Sequence, residues 1–187
     1  MQRMTQANPE DDAVRFCSAN EVAGLAQKAA TGAGFPPSQA ETFGRAVAVH
    51  LGAGRAALAV STALDDPLDS PVLRLPLLMD DVLRAVALTG GEIALTLHPG
   101  DEALALAYAR LLPMRLVTCQ VTSCEGASSR LVIEGDPSVP AKPVLPPRIA
   151  LPAELQTFLE GLAARTYVPA TEASRTAGAG AGNIDND

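Results

Sequence analysis

The sequence predicts an α+β fold: an N-terminal helical hairpin and further helices packed on a small, largely antiparallel sheet, then a Pro-rich crossover to a last helix and a Gly-rich tail. Three observations predict it. Apolar residues recur at three- and four-residue spacing from Val22 to Val86 and again after Pro152, the period of a helix with one buried face. Between Glu92 and Glu134 apolar and polar residues alternate, as in half-buried strands. Six prolines between Pro137 and Pro152 exclude a regular central element there, because each removes a backbone donor.

In chain order, residues 1–17 read as a flexible polar arm and 18–187 as a single domain. Ser18 and Glu21 have the spacing of a capping box. The helix they open places Val22, Leu25, Ala26 and Ala29 on one face and should stop at Gly32-Ala33-Gly34. Phe35-Pro36-Pro37 makes the turn, and Ser38 is the expected cap of a second helix to about Leu51, with Phe43, Val47 and Leu51 four apart. Glu41 and Arg45 form an i,i+4 pair on another face. Arg55 to Leu64 reads as a third helix, 65–71 as a loop, and Leu77 to Leu88 as a fourth helix with Leu78, Val82, Leu83 and Val86 inward.

Glu92 to Leu97 then reads as a strand stopped by His98-Pro99-Gly100. Gly100 or Asp101 caps a helix to Leu112, which Pro113 ends. Arg115 to Thr122 and Arg130 to Glu134 are hairpin partners across a turn holding Gly126. The crossover spans 137–152, and the last helix, Pro152 to Ala163, turns Leu155, Phe158, Leu159 and Leu162 to one side. The tail, 165–187, reads either as a flexible linker or as ordered chain; Tyr167, Val168 and Ile184 favour order.

Composition limits the partners. The 187 residues are 48% hydrophobic, yet no apolar run approaches the ~18 residues of a membrane span. Fourteen Lys and Arg face 21 Asp and Glu, a net charge of -7. That balance, with the arginines scattered, argues against nucleic acid and against a polybasic lipid patch. The arginines read instead as individual ion pairs. Cys17, Cys119 and Cys124 match neither a zinc-ligand spacing nor a redox pair. Residues 1–12 lack the apolar stretch of a secretory signal, so a reduced cytoplasmic setting is expected.

Two stretches carry a resemblance. One runs from Asn20-Glu-Val-Ala-Gly-Leu through Gly34 to Ala40-Glu41 and Gly44-Arg45; the other runs from Thr166-Tyr-Val-Pro through Arg175 and Gly178-Ala-Gly-Ala-Gly182 to Asp185-Asn-Asp187. On these the chain resembles an uncharacterised bacterial domain family of unknown function. The resemblance implies no reaction, substrate or cofactor, and therefore no catalytic residue. It departs from the family pattern at Pro36-Pro37, where a tryptophan-glycine pair is commoner. That departure puts ligand contact by the turn in doubt.

The ligand-binding candidates are Lys28, Glu41 and Arg45 at one end, and Glu172, Ser174, Arg175, Gly178, Gly180 and Gly182 at the other. Cations here could clamp a carboxylate or phosphate, with glycine-loop N–H groups as added donors. Ordinary ion pairing of Glu41 with Arg45 and Glu172 with Arg175 is the simpler account. Asp185 and Asp187 could contribute to a divalent-cation site, but their spacing matches no calcium loop. Ser123 and Ser174 lack a recognisable base: His50 reads as a helix C-terminal residue favoured by the dipole, and His98 as a turn residue. Cys119 reads as a core or passive thiol. The glycine pairs lack a strand–loop–helix context or a Gly-Lys-Ser/Thr motif, so no cofactor is assigned.

The leading reading is an accessory or ligand-binding domain for a small anionic molecule, with assembly as a homodimer or with another protein compatible. The alternatives are an enzyme acting on a small anionic metabolite by carboxylate acid–base chemistry, with Glu41 or Glu172 paired to Arg45 or Arg175, and a structural protein-interaction domain whose tail docks on a partner. The first two place the site where the chain ends would meet.

Overall fold

Ser18 sets the start of the first helix, α1 (Ala19–Ala33), in a computed structural model that describes residues 14–123 and 128–166. The Ser18 N–H donates to Glu21 Oε2 at 2.7 Å and the Glu21 N–H donates to Ser18 Oγ at 3.3 Å, completing the capping box. Gly34, with φ 102°, takes the left-handed cap conformation and donates to the carbonyls of Ala30 and Thr31. Gly32 does not stop the helix. It lies inside the last turn, where a Cβ would stand 1.9 Å from the Leu162 carbonyl oxygen of the last helix.

The second helix, α2 (Pro37–Gly52), begins without a side-chain cap. Ser38 lies within it and its hydroxyl donates to Gln39 Oε1. Pro37 makes a cap less necessary, since a missing donor is harmless in the first turn. Phe43, Val47 and Leu51 are buried as their spacing predicts, and Gly44 lets α2 cross close to the Ala23 carbonyl of α1.

The third helix, α3 (Leu58–Thr62), is only five residues long. Its expected N-terminal part is drawn into a turn instead: Arg55 N–H donates to the His50 carbonyl at 3.2 Å, and His50 Nε2–H donates to the Ala56 carbonyl at 2.9 Å. The fourth, α4 (Pro71–Thr89), starts well before Leu77. Buried Ser70 accepts from Val72 N–H at 3.0 Å while donating to the Ala63 carbonyl at 2.6 Å, and Pro71 sits in the tolerant first turn. Pro76 lies inside the helix and withholds the bond to the Val72 carbonyl. Val82 and Val86 are buried as expected; Leu78 and Leu83 are only half-buried.

The alternating segments form an antiparallel sheet. Residues 14–17 of the supposed arm are also a strand: β1 (Val14–Cys17) pairs antiparallel with β5 (Ile149–Pro152) in a separate two-stranded ribbon. The last four crossover residues are therefore regular structure. Ile149 and Leu151 alternate inward beside Ala150, and Pro152 falls at the strand end, where a donor is dispensable. The larger sheet has β4 (Arg130–Asp136) between β2 (Ile93–Thr96) and β3 (Arg115–Thr122), with irregular register between Leu116 and Thr118. Helix α5 (Glu102–Ala109) packs with α4 against it, and the last helix, α6 (Ala153–Ala163), packs on α1. Leu131 and Ile133 of β4, Tyr108 of α5 and Leu159 of α6 are among the most enclosed side chains.

The architecture is thus α+β, with N-terminal helices, a small antiparallel sheet and a helix after the Pro-rich region. Among the described residues no helix is long and apolar enough to cross a membrane.

Candidate functional site

Helices α1 and α2 hold the first group of sequence candidates apart. Exposed Lys28 lines a groove with Arg15, Glu21 and Glu160 between α1, the β1–β5 ribbon and α6. Arg45 lines a different cleft, with Met79, Leu83 and Tyr108. Glu41 is exposed, and the expected Glu41–Arg45 ion pair is not formed among the described residues. Glu172, Ser174, Arg175, Gly178, Gly180, Gly182, Asp185 and Asp187 lie outside the described residues, as do Cys124 and Gly126. Ser123 is hydrogen-bonded to the Ser129 hydroxyl at 3.0 Å, and exposed His98 donates through Nδ1 to the Pro99 carbonyl. Among the described residues no group of three or more His, Cys, Asp or Glu side chains could hold a metal ion.

Among the described residues, Arg74 and Asp101 make the most enclosed charged contact. Asp101 stands at the N-cap position of α5, but its carboxylate makes no cap bond. It accepts instead from Arg74 Nη2 at 2.7 Å and from Nε at 3.2 Å, while Arg74 Nη1 reaches Asp69. The Asp101 side chain is 3% exposed and that of Arg74 27%. Hydrogen bonding to Asp101 pushes the Arg74 pKa above its ordinary value. With Nε, Nη1 and Nη2 all engaged, this arginine contacts an anion internally. It pins α4 to the start of α5 and leaves no free fork for a ligand.

Other cations have no ion-pair partner among the described residues. Arg110 follows the end of α5 and leads into β3, where Cys119 is half-buried. Opposite lies the C-terminal end of α2, with Val49, Gly52 and Ala53, and the crossover segment 141–145 closes the third side. The cleft is about 440 Å³, and Arg110, Lys142 and Cys119 all line it. Arg55 stands near enough to Arg110 and Cys119 for their charges to interact. Arg55 Nη1 is buried without a hydrogen-bond partner among the described residues, and the guanidinium pKa is lowered first by burial and then by Arg110. Among the described residues Arg55, Arg110 and Lys142 form no ion pair. Burial pushes the Cys119 thiol up, against the opposing pull of Arg110 and Arg55, so the sulfur is a neutral wall and not an activated nucleophile.

Both arginines follow helix C-termini, whose partial negative charge offsets part of their repulsion. That accounts for their tolerated charge, but it supplies no acceptor for Arg55 Nη1. The cluster was not legible from the sequence because Arg55, Arg110 and Lys142 come from three distant segments. Their one shared local signal is weak: Arg55 and Arg110 each follow a helix end.

His50 is a correction to its expected role. It is buried, Nε2–H donates to the Ala56 carbonyl, and Nδ1 has no hydrogen-bond partner among the described residues. Burial lowers its pKa despite the contrary pull of the Ala56 and Ala103 carbonyls, with Arg55 adding to the lowering. It is a neutral core imidazole, not a cation completing a helix dipole. Between the unfolded value of about 6.5 and the lowered folded value, the unfolded chain binds more protons, so stability must fall as pH falls through this window. His50→Gln is therefore expected to flatten the melting temperature against pH between pH 7 and 5.5. An unchanged slope in thermal unfolding would contradict this.

Compared with protein-family models, curated proteins and solved structures, the chain finds no match.

Proposed function

We propose that this domain binds a small anionic molecule in the cleft beside Cys119. Arg110 and Lys142, which line the cleft, neutralise the ligand's charge, and the positive charge of Arg55 behind the lining adds to their field. The observation that carries this reading is that Arg110 and Lys142 line one cleft, with Arg55 close to Arg110, and that none of the three has a carboxylate partner among the described residues. Like charges held close together repel, and a ligand carboxylate or phosphate between Arg110 and Lys142 would relieve that repulsion. Arginine suits either group because its planar fork can make two parallel bonds.

No Asp or Glu lines the cleft among the described residues. The site therefore offers charge neutralisation without a carboxylate acid or base, which favours a binding role over the enzymatic alternative. Titration calorimetry with inorganic phosphate and with citrate is the direct test. Saturable binding that weakens with added salt is expected. Exposed Arg110 can be removed with little risk to folding, and Arg110→Ala should weaken binding about tenfold, the equivalent of one charged hydrogen bond. Binding of neither anion, or equal affinity in Arg110→Ala, would overturn the reading.

A further inference from the structure

The walls of the Cys119 cleft narrow the chemistry of the anion it suits. Apart from Arg110, Lys142 and the Cys119 thiol, every side chain that lines it among the described residues is apolar. No side-chain hydroxyl, amide or carboxylate joins the lining there, so main-chain atoms supply the remaining polar surface. Such walls offer little to the hydroxyls of a sugar or to the edge of a nucleobase, and polar groups enclosed without partners weaken binding.

Two local features present apolar surface to the cleft. In β3 the register slips: Leu116 pairs with Gly135 and Thr118 with Glu134, which leaves Val117 without a cross-strand partner. Successive side chains of an unbroken strand point to opposite faces, yet Leu116 and Val117 both line the cleft; a bulge re-aims side chains in this way. On the crossover, Leu145 and Pro146 pack against the end of α2, where a Cβ on Gly52 would stand 3.4 Å from Leu145 Cδ2 and 3.1 Å from Pro146 Cδ. With the crossover held there, Val144 lines the cleft while 97% exposed, and Val117 is 59% exposed. Exposed valines scattered singly are ordinary. These two line one cleft together with two cations that have no carboxylate partner among the described residues.

We infer that the ligand is an anion whose charged group is joined to a compact apolar body: an aryl or alkyl phosphate or carboxylate, as opposed to a sugar phosphate or a nucleotide. Arg110 and Lys142 take the charged group, and Leu116, Val117 and Val144 cover the body. This rests on the anion site proposed above and adds which anions that site prefers. Inorganic phosphate is the charged group alone and leaves both valines in water.

Titrations of the full chain with phenyl phosphate, glycerol phosphate and inorganic phosphate test it, at about pH 8, where phosphate monoesters carry two negative charges. Phenyl phosphate should bind about tenfold more tightly than inorganic phosphate, the gain from burying roughly 60 Å² of apolar surface. Glycerol phosphate, with the same charged group on a polar body, should bind no more tightly than inorganic phosphate. Val144→Ser changes an almost fully exposed side chain, and Val117→Thr keeps the branched shape that suits a strand, so neither endangers the fold. Together they should cut the preference for phenyl phosphate to about threefold or less and leave the affinity for inorganic phosphate unchanged. Equal affinity for phenyl and inorganic phosphate, equal affinity for phenyl and glycerol phosphate, or a preference undiminished in the double variant would each overturn the inference while leaving the anion site standing. Binding of none of the three would overturn the site and the inference together.

Discussion

Asp101→Ala is expected to destabilise the domain by about 3–5 kcal/mol, the usual cost of removing one partner from a buried ion pair. The carboxylate is almost fully enclosed and takes bonds from two nitrogens of Arg74. Its loss leaves a partly buried guanidinium facing the start of α5 with only Asp69 remaining, and Asp69 is 66% exposed. The same pair tethers segments far apart in sequence, so its removal also loosens α4 from α5. Urea unfolding near pH 7 gives the comparison. Asp69→Ala is the control, and as one half of a more exposed contact it should cost at most about 1 kcal/mol. Replacing Arg74 with Met in the Asp101→Ala background should recover part of the loss, because it removes the stranded charge. A loss for Asp101→Ala no larger than that for Asp69→Ala would show that the enclosed contact does not hold the two helices together.

Gly32→Ala should also destabilise, by about 3 kcal/mol, near the upper end of the usual overpacking cost. The sign is the informative part. In an unobstructed helix interior the same change stabilises by about 1 kcal/mol. At Gly32 the new Cβ would stand 1.9 Å from the Leu162 oxygen and 2.8 Å from its carbonyl carbon. These are backbone atoms of α6, which cannot turn aside as a flexible side chain would; the α1–α6 interface must open. Gly24, in the same helix, has no atom within 4 Å of the corresponding position, so Gly24→Ala should show the ordinary gain. Thermal unfolding of the two variants therefore should move in opposite directions. Stabilisation by both would show that α6 does not approach α1 this closely.

The two glycines illustrate what the sequence can and cannot convey. Both lie in α1; the sequence marks Gly32 only as part of the helix stop, and nothing around it in the chain signals the close approach of α6. The capping box at Ser18 and Glu21 was readable because its partners are three residues apart, and the alternation in Arg115 to Thr122 because it belongs to a single strand. Helix α6 was readable from the spacing of Leu155, Leu159 and Leu162. By contrast β1 exists because Val14–Cys17 meets Ile149–Pro152 across almost the whole described chain, and four residues are too short to announce a strand unaided. Read from the sequence, α4 starts at Leu77, six residues late, because the buried Ser70 cap is held by the Ala63 carbonyl across the loop and so gives no signal of its own.

The candidate sites divide in the same way. Arg45 reads in the sequence as the i,i+4 partner of Glu41 or as part of an anion clamp; the structure places it on a cleft with Met79, Leu83 and Tyr108, without that ion pair among the described residues. Asp101 looked like a helix cap because a cap is a local role; its actual partner, Arg74, comes from another helix. Arg55, Arg110 and Lys142 gave no joint signal. The chain's own order determined which segments became helices, which alternated as strands and where most of them stopped, since those choices depend on neighbours a few residues away. Which charges are neutralised, which donors are stranded and which glycines must stay small was decided only by tertiary packing, because burial and Coulomb interactions depend on distance in space.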